Sequence, residues 1–173
     1  MRKYIVAVIG FWIFSLLMGC DAKEQSNKDT QDIRKLVQEY SGNRTEDVSA
    51  SITSNELIIK DQNDKETSYD ISEEEFFVSI APYMKDTHPC EIHSLTGCQG
   101  ELANKDFKVR IENEEGKIIM DETLKSLENG FIDVWLPRNQ TFQVEIQYGE
   151  KTSKSTISTF KGDNTCITTM QVK

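Results

Sequence analysis

The sequence predicts an α+β protein in which one small helix and a few antiparallel strands precede an all-β sandwich. Three observations carry that reading. A single stretch, residues 30–42, has apolar residues at helical spacing. Everything from Phe107 onward alternates apolar and polar residues in short runs broken by turn residues. Between the two patterns lies a segment, His88 to Glu101, dense in cysteine, histidine, proline and glycine. Six short strands at such spacing indicate two packed sheets.

The chain begins as an export leader. Arg2 and Lys3 precede an apolar run from Tyr4 to Leu17, which is too short to span a bilayer and has no stop-transfer pattern after it. The run ends Leu17-Met18-Gly19-Cys20, which resembles a bacterial lipobox, with Met18 standing where alanine or serine is usual. The expected division is a lipoprotein signal peptide over 1–19, with Cys20 lipidated at the new N-terminus. Two acyl chains hold a protein stably at a membrane where one does not. Asp21 to Asp29 is polar, with no apolar residue larger than alanine, and completes a flexible tether over 20–29. The chain is then expected on the outer face of the cell membrane.

Charge narrows the partners. The whole chain carries a formal net charge of −9; loss of Arg2 and Lys3 with residues 1–19 takes it from −9 to −11 over the remaining 154 of 173 residues. Such a surface repels phosphate backbones, so nucleic acid is excluded as a partner. It also stands off anionic headgroups, and it keeps an exported protein soluble.

The unit over 30–86 comes next. Thr30 can cap a helix in which Ile33, Leu36, Val37 and Tyr40 form one apolar stripe, and Gly42 stops it. Glu56 to Lys60 and Thr67 to Ile71 read as a hairpin around a polar turn. Phe76 to Tyr83 carries two signals: Ser72 and Glu75 resemble a helix capping box, while aromatic and β-branched content ended by Pro82 favours a strand. The strand is the reading adopted.

In the 107–173 domain, strands are expected over Phe107–Ile111, Ile118–Met120, Phe131–Leu136, Thr141–Ile146, Thr156–Phe160 and Thr165–Val172, with turns at Glu114–Lys117, Asn129-Gly130, Pro137–Gln140 and Tyr148–Lys151. Phe131, Trp135 and Phe142 read as core residues. In the last strand Cys166, Thr168 and Met170 point to one face.

The segment over 87–106 carries the chemistry. His88, Cys90, His93 and Cys98 supply imidazole and thiol, the ligands of soft and borderline metals, where calcium or magnesium would call for a carboxylate cage. The spacing is not Cys-x-x-Cys, so neither a thioredoxin-like motif nor a zinc ribbon is indicated. A structural disulfide between Cys90 and Cys98 is the plain alternative. With Cys20 assigned to lipid, Cys90, Cys98 and Cys166 remain. An odd number in an oxidising compartment means a free thiol, an intermolecular bridge or a ligand. Met170 is a soft neighbour of Cys166 along the strand, although packing is its commoner role.

Three segments together resemble the CueP family of exported copper-resistance proteins: Thr87-His88-Pro89-Cys90 to Cys98-Gln99-Gly100-Glu101, Asn129-Gly130-Phe131 to Trp135-Leu136-Pro137, and Thr165-Cys166-Ile167-Thr168-Thr169. The resemblance implies a periplasmic or extracytoplasmic copper-binding protein whose thiols, here Cys90, Cys98 and Cys166, handle copper. It also implies reduction of Cu(II) to Cu(I) by thiols and, in some bacteria, a superoxide dismutase as copper client. Two adjacent thiols that give electrons to Cu(II) leave a disulfide, expected here between Cys90 and Cys98, and a thiol reductant is then the partner needed to restore them. His93 and His88 are the candidate nitrogen ligands, and a homodimer is compatible with the reading. On this account the protein binds metal, with stoichiometric reduction rather than turnover. The lipobox suits buffering at the membrane better than delivery. The competing readings are a thiol-disulfide oxidoreductase and a surface lipoprotein with structural cysteines.

Overall fold

The computed structural model describes residues 32–42 and 47–173. The leader, Cys20, the tether and the Thr30 cap lie outside them. Helix α1 covers residues 32–40; it buries Ile33 and Val37 and half-buries Leu36 and Tyr40, while Asp32, Lys35, Gln38 and Glu39 face solvent. The Ser41 N–H closes its last turn on Val37 O at 2.8 Å. Gly42 then takes φ of 77°, a conformation easy only for glycine, and its N–H reaches Leu95 O at 3.2 Å. The helix therefore stops where it is tied to the cysteine segment.

Eleven strands form three sheets among the described residues. The first sheet holds β1 (Val48–Ile52), β2 (Glu56–Asp61), β3 (Glu66–Asp70) and β5 (His93–Ser94), in the order β3-β2-β1-β5 and antiparallel throughout. The second holds β4 (Glu75–Ile80), β8 (Ile132–Pro137) and β11 (Cys166–Ile167), with β4 central, antiparallel to β8 and parallel to β11. The third holds β6 (Asp106–Asn113), β7 (Ile118–Lys125), β9 (Thr141–Tyr148) and β10 (Lys151–Ser158), in the order β10-β9-β6-β7.

The second and third sheets make the sandwich. Phe76, Val78 and Ile80 of β4 and Ile132, Val134 and Leu136 of β8 face Phe107, Val109 and Ile111 of β6 and Phe142, Val144 and Ile146 of β9. Because strand side chains alternate, the opposite face of the second sheet presents Phe77 and Trp135. That face packs on Ile33 and Val37 of α1 and on Ala50, Ile52 and Leu57 of the first sheet. The second sheet is thus the middle of three layers. This explains the near-continuous apolar run of β4: a strand covered on both faces has no solvent side to keep polar.

The expected class, one helix with antiparallel strands and a sandwich, is the class observed. Its boundaries differ from the linear reading, since β4, expected in the unit before residue 87, is the central strand of a sandwich sheet. The run expected as a strand over Thr165–Val172 pairs in the ladder only at Cys166–Ile167, with one further bridge from Gln171 to Tyr83. Its alternation persists beyond the ladder, with Thr168, Met170 and Val172 buried.

Candidate metal centre

Three pieces of chain meet at the centre: the segment leaving β4, the turn after β5, and β11. The tail is stitched to the segment through backbone. Thr165 and Cys166 both donate their N–H to Glu91 O, at 3.0 and 3.1 Å. Thr165 Oγ1 accepts the His93 N–H at 3.0 Å and donates to Ile52 O at 2.6 Å, so one hydroxyl joins the tail, β5 and β1. Thr87 Oγ1 adds a bond to Thr168 O at 2.6 Å.

A tight turn then folds Cys98 back. Its N–H donates to Ser94 O at 3.0 Å, and its Sγ accepts the Ser94 N–H at 3.4 Å. Behind the turn, Gly100 donates to Asn129 O at 2.6 Å and lies directly against Gly130, which has φ of 80°. A Cβ on Gly130 would sit 2.5 Å from Gly100 O, so this approach requires glycine. The exposed Glu101 carboxylate accepts the N–H groups of Met84 and Lys85 at 2.6 and 2.9 Å, and of Asp86 at 3.4 Å. Those bonds hold its carboxyl below the usual range.

The result is a cluster of sulfur and imidazole. Cys90 and Cys166 are joined in a disulfide with Cα atoms 5.5 Å apart, and Cys98 is a thiol whose Sγ lies 3.5 Å from Cys90 Sγ. The sequence left the pairing open, with Cys90–Cys98 as the possible bond; the bond here joins Cys90 to Cys166 instead. The cause is the pair of bonds to Glu91 O together with the parallel β11–β4 ladder, which brings Cys166 to an ordinary disulfide separation from Cys90 while the Ser94 turn holds Cys98 beside them. Buried Ala81, Phe131 and Cys166 floor the cluster, with Cys90 and Cys98 packed on them.

Two three-ligand groupings follow among the described residues, each with ligand atoms within 4.8 Å of one another: His88, Cys90 and Cys98, all half-buried, and His93, Cys98 and Cys166, of which His93 and Cys166 are buried. Cys98 belongs to both. Neither contains a carboxylate, and Glu91 lies outside both. Met170 belongs to the sandwich core instead.

His93 is fully buried, its ring 4.6 Å from that of Phe131 and 6.1 Å from that of Phe77. Neither ring nitrogen has a hydrogen-bond partner among the described residues. Leaving both unpaired is costly in an apolar interior unless something else binds them. Burial first, and the charge of His88 second, push His93 down to about 3, so the imidazole is neutral with a lone pair to offer. Burial pushes the Cys98 thiol up, partly offset by the Ser94 N–H.

The model of the CueP family, described as "Periplasmic copper-binding protein CueP", matches residues 32–171. The chain belongs to the CueP family. A solved structure titled "Crystal Structure of S.CueP" is similar to it at 33% identity with a TM-score of 0.78, covering 90% of this chain and 99% of that one. No curated protein matches the chain. CueP membership makes this an exported, copper-binding protein, and the donor set fits: thiols and a desolvated imidazole suit a soft ion in a way that a carboxylate cage does not.

Of the residues singled out in the sequence, Cys90, Cys98, Cys166, His93 and His88 converge. Thr165, Ser94, Phe77 and Phe131, which position or enclose them, gave no signal of that role, because each acts through a contact distant in sequence. Ser94 is the exception in distance, yet a serine four residues before a cysteine is too common a pattern to read.

Proposed function

We propose that this protein binds Cu(I) through the thiolates of Cys90, Cys98 and Cys166, with His93 and His88 as nitrogen donors, and that the same thiols reduce Cu(II). The observation that supports the reading most is the contact of Cys98 with a disulfide whose two members come from a mid-chain segment and from the tail. Cu(I) accepts low coordination numbers with sulfur, so three thiolates suffice.

The redox step balances as follows. Two Cu(II) ions each take one electron; the Cys90 and Cys166 thiols lose two protons and two electrons and form one S–S bond. Cys98 stays reduced. Another round requires an exported dithiol partner to reduce the bond by exchange. Cys20, lipidated, would hold the centre at the outer face of the cell membrane, where it buffers copper. A client such as a superoxide dismutase would have to collect the ion there.

Anaerobic titration of the reduced protein with Cu(I), in competition with a chromogenic Cu(I) chelator, tests the binding. Wild type withdraws copper from the chelator stoichiometrically, and Cys166→Ser withdraws far less. No withdrawal by wild type contradicts the proposal.

A further inference from the structure

The reading above leaves Cys98 as a bystander to the disulfide, but its position gives it a part in disulfide chemistry itself. Its Sγ lies 3.5 Å from Cys90 Sγ and within 4.8 Å of Cys166 Sγ. The two bonded sulfurs differ in access: Cys90 is half-buried, while Cys166 has 2% of its surface exposed. A thiol-disulfide exchange partner must touch the sulfur it attacks, so the Cys166 side of the bond is closed to one.

We infer that Cys98 moves the disulfide within the protein, exchanging Cys90–Cys166 for Cys90–Cys98. The Cys98 thiolate attacks Cys90 Sγ, the Cys90–Cys166 bond breaks, and its electron pair leaves on Cys166. The proton given up by Cys98 ends on Cys166. One S–S bond is exchanged for another, so no oxidant or reductant is consumed. The product carries its disulfide on two half-buried sulfurs, both open to a dithiol partner, and leaves the Cys166 sulfur free in the grouping that holds His93.

The backbone permits the move. Bonds from Thr165 and Cys166 to Glu91 O, and from His93 to Thr165 Oγ1, hold the tail against the segment whether or not the sulfurs are joined. Breaking the covalent link therefore does not release β11. The exchange rests on the sulfur cluster alone and does not depend on copper, so failure of the Cu(I) titration would leave it standing.

Disulfide mapping of the copper-free, oxidised full-length protein tests it. The protein is held at alkaline pH, which raises the thiolate fraction of Cys98, and quenched in acid. Free thiols are then labelled in denaturant, and peptides are mapped after acid proteolysis. The expected result is a Cys90–Cys98 peptide beside Cys90–Cys166, in the range of about 0.1–10% usual for a minor state, with label on Cys166 in matching amount. Label on Cys98 alone, at every time of incubation, overturns the inference. Cys166→Ser gives an independent check: it is expected to oxidise to Cys90–Cys98 with a native near-ultraviolet spectrum. A Cys166→Ser protein that keeps both thiols where wild type forms its bond also overturns it.

Discussion

The imidazole of His93 stands 4.6 Å from the ring of Phe131, with neither nitrogen hydrogen-bonded to any of the described residues. Below pH 6.5 an unfolded-chain histidine takes up a proton, but the folded His93 takes one only near pH 3. The unfolded state binds more protons in between, so this contribution to stability is complete above 6.5 and is lost as pH falls toward 3, by an amount on the order of a few kcal/mol. Urea unfolding of the metal-free protein is expected to show that loss beginning just below 6.5, above the carboxylate range, and His93→Leu is expected to flatten it. A wild-type curve level down to pH 5 contradicts the burial argument.

Asp133 ties the layers together. Its two oxygens accept from Ser41 Oγ after α1 and from Ser79 Oγ on β4, both at 2.5 Å, and burial raises its pKa despite these bonds. Ser79→Ala leaves a half-buried carboxyl short of a donor and is expected to cost about 1 kcal/mol near neutral pH. The loss narrows in acid, where a protonated carboxyl needs fewer donors. Denaturant midpoints at two pH values check this.

Gly130→Ala places a Cβ on Gly100 at a positive φ. The conformational part alone costs about 1–2 kcal/mol, and the collision adds to it by forcing the Cys98–Glu101 backbone to move. The expected outcome is a lower melting temperature together with weakened Cu(I) retention. Gly149→Ala also has a positive φ, but no neighbour among the described residues lies within 4 Å of its Cβ position. It is expected to lower stability alone.

Cys20→Ser removes the proposed lipid attachment. Fractionation is expected to move the protein from membranes to the soluble exported fraction with its Cu(I) binding unchanged. Retention on membranes would contradict the tether.

Much of the architecture was legible because burial leaves a period. The α1 stripe, the β2–β3 hairpin and the alternating runs of β6, β8 and β9 each follow directly from it. β10, read as Thr156–Phe160, in fact begins at Lys151 and ends at Ser158, because Lys151 to Thr156, on the outermost strand of its sheet, has no apolar residue to mark the alternation. β1 went unread for a different reason: Val48-Ser49-Ala50-Ser51-Ile52 does alternate, but over only five residues and with a small alanine at its centre the signal is weak. The ligands stood out by chemical type alone. Their pairing did not, since sequence proximity favours Cys90 with Cys98, whereas the parallel β11–β4 ladder and Glu91 O bring Cys166 in from 76 residues away. The three-layer arrangement, which encloses His93, depends on packing between elements that no local pattern encodes.

X-ray absorption at the copper edge, on reduced protein loaded with one equivalent of Cu(I), tests the central claim most directly. The account predicts a first shell dominated by sulfur that loses sulfur in Cys98→Ser, the one cysteine common to both ligand groupings. A first shell of nitrogen and oxygen only, unchanged by that substitution, would contradict it.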